Sequence, residues 1–386
     1  MSTNHEVASV IAASPPAALS AGLEGVIVAE TRLSEVDGER GRLVIAGHDA
    51  EQLAGRVSFA ALCHLLLSGQ LPEPEAQAAT QARLGQARVR AAQRLGDCPA
   101  ALRLPDAMDA LRAALAGHVA ALPGGADAGT PDEALTLIGA LPVYVAAWAR
   151  HGEGKAALAP DPSLDHAADF LRLLTGESPD AARAAALDAY LVTVSDHGMN
   201  ASTFTARVIA STGSDLVSAI VGAVGALKGP LHGGAPGPVL DMLDAIGEPE
   251  KAVPWLQEQL LARRRIMGMG HRVYRVRDPR AAVLERAIER LETAGYHTPR
   301  LRLARAVEHA AQDVLRRRYP DRPLHANVEF YTAVLLDAVG LPRTLFTPTF
   351  AVGRVAGWCA HVGEQRQTGR LIRPDSRYIG PRPLAG

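Results

Sequence analysis

Cysteine is scarce in this 386-residue chain, and the three present, Cys63, Cys98 and Cys359, are far apart. An odd number at such spacing argues against a disulfide framework and against a zinc site of paired cysteines, and it fits a reducing compartment. Net charge is nearly absent too, because 40 Lys and Arg stand against 41 Asp and Glu, a formal −1. That balance gives no reason to expect nucleic acid as a partner, so any basic cluster must be local. The longest apolar run, around Leu216 to Leu227, is too short to cross a bilayer, and no membrane partner is expected. The first basic residue is Arg32, so the N-terminus has neither the positive start of a secretory signal nor the arginines of a transit peptide. The expected location is the cytoplasm. Convincing alternating strands are also missing, which argues against a parallel-sheet nucleotide-binding fold.

What the chain does have is apolar residues at helical spacing. They make up 48% of the sequence, enough for a substantial core. "GRLVIAGHDAEQLA" reads as a short extended piece that ends at Gly47 and leads into a helix. "SFAALCHLLLSGQLP" stops at a Gly-x-Leu-Pro breaker. "SPDAARAAALDAYLVTVSDHG" offers Ser178 as an N-cap and Pro179 as the first helical residue, with an end near Gly198. "SDLVSAIVGAVGALKGP" is apolar nearly all round, as a buried helix would be. The expected class is all-α, as two helical domains with a cleft between them.

Three histidines stand beside glycines: His232 in "KGPLHGGAPG", His197 in "SDHGMN" and His271 in "MGMGHRVYRVRDPR". Each alone could be a loop side chain bonded to a carbonyl. None has a second histidine or cysteine at i+3 or i+4, so no metal is expected. In "HANVEFYTAVLLDAVGLP", Asn327 is a good N-cap and places Glu329 in the first turn of a helix that runs to Gly340. There it either complements the helix dipole or serves as a base once desolvated. A neutral imidazole near a helix N-terminus can donate to a carbonyl, and His232 suits that role if a helix begins around Ala235 to Pro238. Arg275, Arg277 and Arg280 follow His271, while Arg354 and Arg373 lie near the C-terminus. Such arginines can clamp carboxylates or phosphates.

Taken in order, "GALKGPLHGGAPGPVLDML", "MGMGHRVYRVRDPRA", "NVEFYTAVLL" and "RLIRPDSRYIG" resemble the citrate synthase family, from about Gly22 to the end of the chain. The resemblance implies an all-α homodimer that closes over oxaloacetate and acetyl-CoA, with a coenzyme A thioester as substrate and no permanently bound cofactor. It implies a flexible arm over residues 1–21, a large domain of 22–228 and 335–386, and a small domain of 229–334. By position, His232 would hold the thioester oxygen, His271 would polarise the ketone, and Glu329 would remove the methyl proton. His197, Arg280, Arg354 and Arg373 would bind the oxaloacetate carboxylates, with Arg373 reaching into the partner subunit's site, and Arg275 would meet a coenzyme A phosphate. The chain departs from the family's Asn-Val-Asp-Phe-Tyr pattern at Glu329, one methylene longer than aspartate. Two alternatives stay open: a 2-methylcitrate synthase using propionyl-CoA, and a non-catalytic relative that binds coenzyme A or a carboxylate.

Overall fold

The computed structural model describes residues 21–23, 25–117, 131–178, 180–234, 237–270, 274, 276–321 and 324–381. The chain divides into Met1–Thr31 and Arg32–Gly386. In the first unit Ala21–Leu23 make one 3-10 turn and an irregular stretch follows. The arm expected over residues 1–21 lies outside the described residues except for Ala21.

The second unit is built from helices, sixteen α-helical segments among the described residues. One small antiparallel sheet joins them: β1 (Ser34–Asp37), β2 (Arg42–Ile45) and β3 (His48–Asp49), in that order. The Asp37 carboxylate accepts the amides of Glu39 (3.1 Å) and Arg40 (3.0 Å) and so shapes the turn between β1 and β2. The extended piece before Gly47 is therefore the middle strand of three. The helix Phe59–Ser68 starts on Ser58, whose hydroxyl accepts the Ala61 amide, and ends at Gly69 in the left-handed conformation, as its breaker signal predicts.

One N-cap differs from expectation. The helix read from Ser178 begins at Ala181 and ends at Val194, and its cap is Asp180, whose carboxylate accepts the amides of Ala182 and Arg183. Asp offers a charged acceptor at the helix N-terminus, which outweighs the Ser-Pro pattern two residues earlier.

The helix Phe346–Thr368 is central. It packs against the helices Phe59–Ser68, Pro131–Gly152, Ala181–Val194, Ala201–Ser211 and Leu216–Lys228. Burial on several sides explains why it carries a nearly continuous apolar surface. Beyond the buried Thr349, it also carries Arg354, Trp358, His361 and Gln365 as buried polar or indole side chains. Their spacing of four, three and four residues sets them along one face. Buried groups of that kind need partners, and those partners build the site.

Candidate active site

The helix Leu216–Lys228 is buried along Leu216, Val217, Ile220, Ala223, Val224 and Leu227 and delivers the loop that bears His232. The amides of His232 (2.9 Å) and Gly233 (3.1 Å) both donate to the Gly229 carbonyl, so the loop is a tight turn. A Cβ on Gly233 would lie 2.2 Å from the Leu227 carbonyl oxygen, so glycine here lets the loop pack on its own helix. The next helix begins at Gly237, while Ala235 and Pro236 lie outside the described residues. His232 is half-buried, and its Nε2 lies 2.8 Å from the Ser202 hydroxyl. Ser202 in turn accepts from the Trp358 indole N–H (3.1 Å) and lies 2.8 Å from Asn200 Oδ1. Burial, aided by the positive charge of Arg354, pushes the His232 pKa down to about 4. Both effects disfavour the imidazolium form, and the helix expected to follow the loop begins at Gly237.

Glu329 stands in the first turn of the helix Val328–Ala338, and Asn327 caps it through bonds from the amides of Glu329 (3.0 Å) and Phe330 (3.2 Å). Asn327 also donates through Nδ2 to the Gly270 carbonyl (2.7 Å) and through its amide to the Gly268 carbonyl (2.9 Å). Gly268 has φ +75°, and a Cβ on it would lie 2.8 Å from Phe330 Cβ. Only glycine meets both demands. The segment just before His271 is thus stitched to the start of the Glu329 helix. His271 and Arg275 themselves lie outside the described residues. Burial raises the Glu329 pKa above the usual carboxylate range, against the opposing charges of Arg280 and Arg265.

Two buried guanidiniums act on these groups, Arg354 on His232 and Arg280 on Glu329. Arg280 sits at the start of the helix Pro279–Thr293, capped by Asp278, and pairs with that carboxylate through Nε (3.1 Å) and Nη2 (2.8 Å). It stands over the Tyr274 ring at 5.9 Å, and the Tyr274 hydroxyl meets His197 Nε2 at 3.0 Å. Arg354 is 1% exposed, donates through Nε to the Val194 carbonyl (2.5 Å) and lies over the Phe350 ring. Among the described residues no carboxylate comes within ion-pair distance of it. Burial and the like charge of Arg280 lower its pKa to about 10, and Asp196 offsets part of this. Asp196 is itself held ionised, against its burial, chiefly by His361.

Electrostatics therefore link His232 to Arg354, Arg354 to Arg280 and Arg280 to Glu329 in succession, and His197 meets Tyr274, over which Arg280 stands. Arg373 is apart from them, exposed on the irregular segment after Thr368. Sequence reasoning missed Ser202, Trp358, Tyr274 and Asp196. Ser202 has no local signal because its partners come from distant segments, whereas Tyr274 stood in the His271 motif. Among the described residues no three His, Cys, Asp or Glu side chains are grouped to hold a metal ion. Chemically the set offers a neutral hydrogen-bond donor, a carboxylate of raised proton affinity and two cations for an anionic substrate.

Comparison with known proteins gives this geometry a family context. The family model described as "Citrate synthase, C-terminal domain" matches residues 22–375. Citrate synthase of Haloferax volcanii is 38% identical over 95% of this chain and 97% of its own. The citrate/2-methylcitrate synthase of Bacillus subtilis is 37% identical over 94% of this chain and 97% of its own. Among solved structures, the ternary complex of Thermoplasma acidophilum citrate synthase with carboxymethyl coenzyme A and oxaloacetate is similar with a TM-score of 0.84. It is 29% identical, over 95% of this chain and 98% of that one.

Proposed function

The chain belongs to the citrate synthase family, and we propose that it joins acetyl-CoA to oxaloacetate with the residues just described. The observation that carries this reading is one site in which an imidazole is kept neutral while a carboxylate gains proton affinity, beside two buried arginines. Removing a proton next to a thioester carbonyl needs that combination, because an ordinary carboxylate is too weak a base and an imidazolium would be a poor partner for a neutral enol.

Glu329 takes a methyl proton from acetyl-CoA while His232 donates to the thioester oxygen, giving the enol. The enol carbon attacks the ketone of oxaloacetate, whose carboxylates are held by Arg280, Arg354 and His197, and His271 supplies the proton to the new alkoxide. Water then cleaves the citryl thioester, releasing citrate and coenzyme A. Arg275 meets a coenzyme A phosphate, and no resident cofactor takes part. The working unit is a homodimer in which Arg373 completes the partner's site. Each chain is organised as a large domain of 22–228 and 335–386 and a small domain of 229–334. No helix among the described residues is long and apolar enough to cross a membrane, which accords with action in the cytoplasm.

The similarity to an enzyme named for both citrate and 2-methylcitrate keeps propionyl-CoA as a second acyl donor. One methylene is worth only about 1–3 kcal/mol of discrimination. A thiol-release assay tests the whole reading. Free coenzyme A should appear only with oxaloacetate and acyl-CoA together, with citrate in equal amount and no need for a divalent ion. Thiol release without oxaloacetate, or none with both substrates, refutes it.

A further inference from the structure

The buried face of the helix Phe346–Thr368 does not end at the candidate site. His361 accepts from Arg207 Nη1 at Nδ1 (3.0 Å), so its proton sits on Nε2, which faces Asp196 Oδ2 at 3.2 Å. The same Arg207, 1% exposed, bonds through Nε to Gln365 Oε1 (3.0 Å) and through Nη1 to Glu364 (2.6 Å). Gln365, 3% exposed, then donates through Nε2 to the Arg370 carbonyl (3.1 Å). Its backbone carbonyl accepts the Gly369 amide (2.8 Å), and a Cβ on Gly369 would lie 1.9 Å from Gln365 Nε2. Ser211 Oγ accepts the Ile372 amide (3.0 Å). The chain is thus pinned at 369, 370 and 372. Arg373 is the next residue, exposed, and the extended segment beyond it exposes Tyr378 (67%) and Ile379 (91%).

A helix C-terminus needs only the Gly369 bond to end. The second bond, from a fully buried amide side chain whose other end is fixed by a buried arginine, orders residues outside the helix. Such rigidity serves a side chain that must arrive at a set place. We propose that Gln365, held by Arg207, is the positioning residue for Arg373. It fixes the direction in which the C-terminal segment leaves the molecule, so that Arg373 reaches an oxaloacetate carboxylate in the partner's site. The inference rests on the condensation and dimer proposed above.

Gln365→Glu tests it. The carboxylate keeps the acceptor for Arg207 but loses the N–H for the Arg370 carbonyl and repels it. In the homodimer the KM for oxaloacetate should rise about tenfold, the scale of one weakened charge-assisted contact, with the KM for acetyl-CoA unchanged. The deciding measurement uses a doubly tagged heterodimer of a Gln365→Glu subunit with a Glu329→Gln subunit. Its one live site lies on the Gln365→Glu chain and receives Arg373 from the chain with Gln365 intact, so the KM for oxaloacetate should return to the wild-type value. A KM that stays raised in the heterodimer, or is unchanged in the homodimer, overturns the inference. Gln365→Met, which cuts both bonds, should show the same pattern if the Gln365→Glu chain does not fold. A wild-type protein that releases no thiol would instead defeat the function itself.

Discussion

Replacing Ser202 with alanine separates the role of the His232 proton from that of the His232 ring. A serine hydroxyl has one proton and two lone pairs. The Trp358 indole N–H can only donate, so it takes one lone pair at 3.1 Å. The proton then has two possible acceptors at 2.8 Å, Asn200 Oδ1 and His232 Nε2. Asn200 Oδ1 accepts the hydroxyl as well as the Thr203 amide (3.1 Å), so turning the hydroxyl to His232 still leaves that oxygen a partner. His232, neutral with a pKa of about 4, has one proton to place. If Ser202 donates to Nε2, that proton is on Nδ1 and available to the thioester oxygen. Without the hydroxyl nothing holds it there. A neutral hydrogen bond of about 0.5–1.5 kcal/mol corresponds to a roughly 2- to 13-fold loss of kcat. Deleting the ring, as in His232→Ala, should cost on the order of 10²–10³, as for other single donors to a developing oxyanion. Stopped thiol-release kinetics on Ser202→Ala, His232→Ala and the double variant read this out. Ser202→Ala should lower kcat about tenfold with the KM for oxaloacetate nearly constant, and it should have no further effect once His232 is gone. Additive losses in the double variant would refute the argument, since Ser202 would then act on something other than the imidazole.

Two further outcomes concern the base. Glu329→Asp restores the family residue but should be slower by roughly 10- to 100-fold, because the Asn327 bonds and the Gly268–Phe330 contact fix the backbone and the shorter carboxylate cannot close the gap; exchange of the acetyl-CoA methyl protons measures it. The acid limb of kcat should belong to Glu329, whose carboxylate form is present above its raised pKa and lost as pH falls through it, while His232 does not titrate above about pH 5. Arg265→Met removes a cation that holds the Glu329 pKa down, so that limb should move to higher pH, and an unmoved limb in the pH–rate profile would count against Glu329 as the base.

Local patterns in the sequence reached a good part of this architecture. Asn327 as a cap, Glu329 in the first turn, the buried Leu216–Lys228 helix and the end of a helix at Gly69 all follow from periodicity and breakers, which act over a few residues. The cap at Asp180 shows the limit even there. Two acceptable caps stood two residues apart, and their relative strength decided which one opened the helix. Long-range partners were beyond reach in principle. Asp196 and His361 are 165 residues apart, Arg207 and Gln365 158, and Ser202 and Trp358 156. Nothing in the neighbourhood of either member marks it, so a histidine and a glutamine on an apolar helix read as incidental polar residues. What lowers the His232 pKa was hidden for the same reason, since its burial and the nearby Arg354 both come from distant segments.

The opposite shifts of His232 and Glu329 come from one physical source. Low polarity disfavours whichever form of a group is charged, so burial lowers an imidazole pKa and raises a carboxyl pKa. Cations then act on the two groups differently. Arg354 reinforces the neutrality of His232, whereas Arg280 and Arg265 restrain the gain in basicity of Glu329. Arg280 exerts that restraint although it is paired with Asp278, and its buried neighbour in charge, Arg354, has no carboxylate within ion-pair distance among the described residues. On the function proposed above, a dianion bound by Arg280 and Arg354 would supply counter-charge to both. It would thereby weaken the restraint on Glu329, while burial, the larger cause, still disfavours a charged His232. The proposed base would then be at its strongest when the electrophile is already in place, so that a proton taken from the methyl group leaves a carbanion equivalent with a partner to attack.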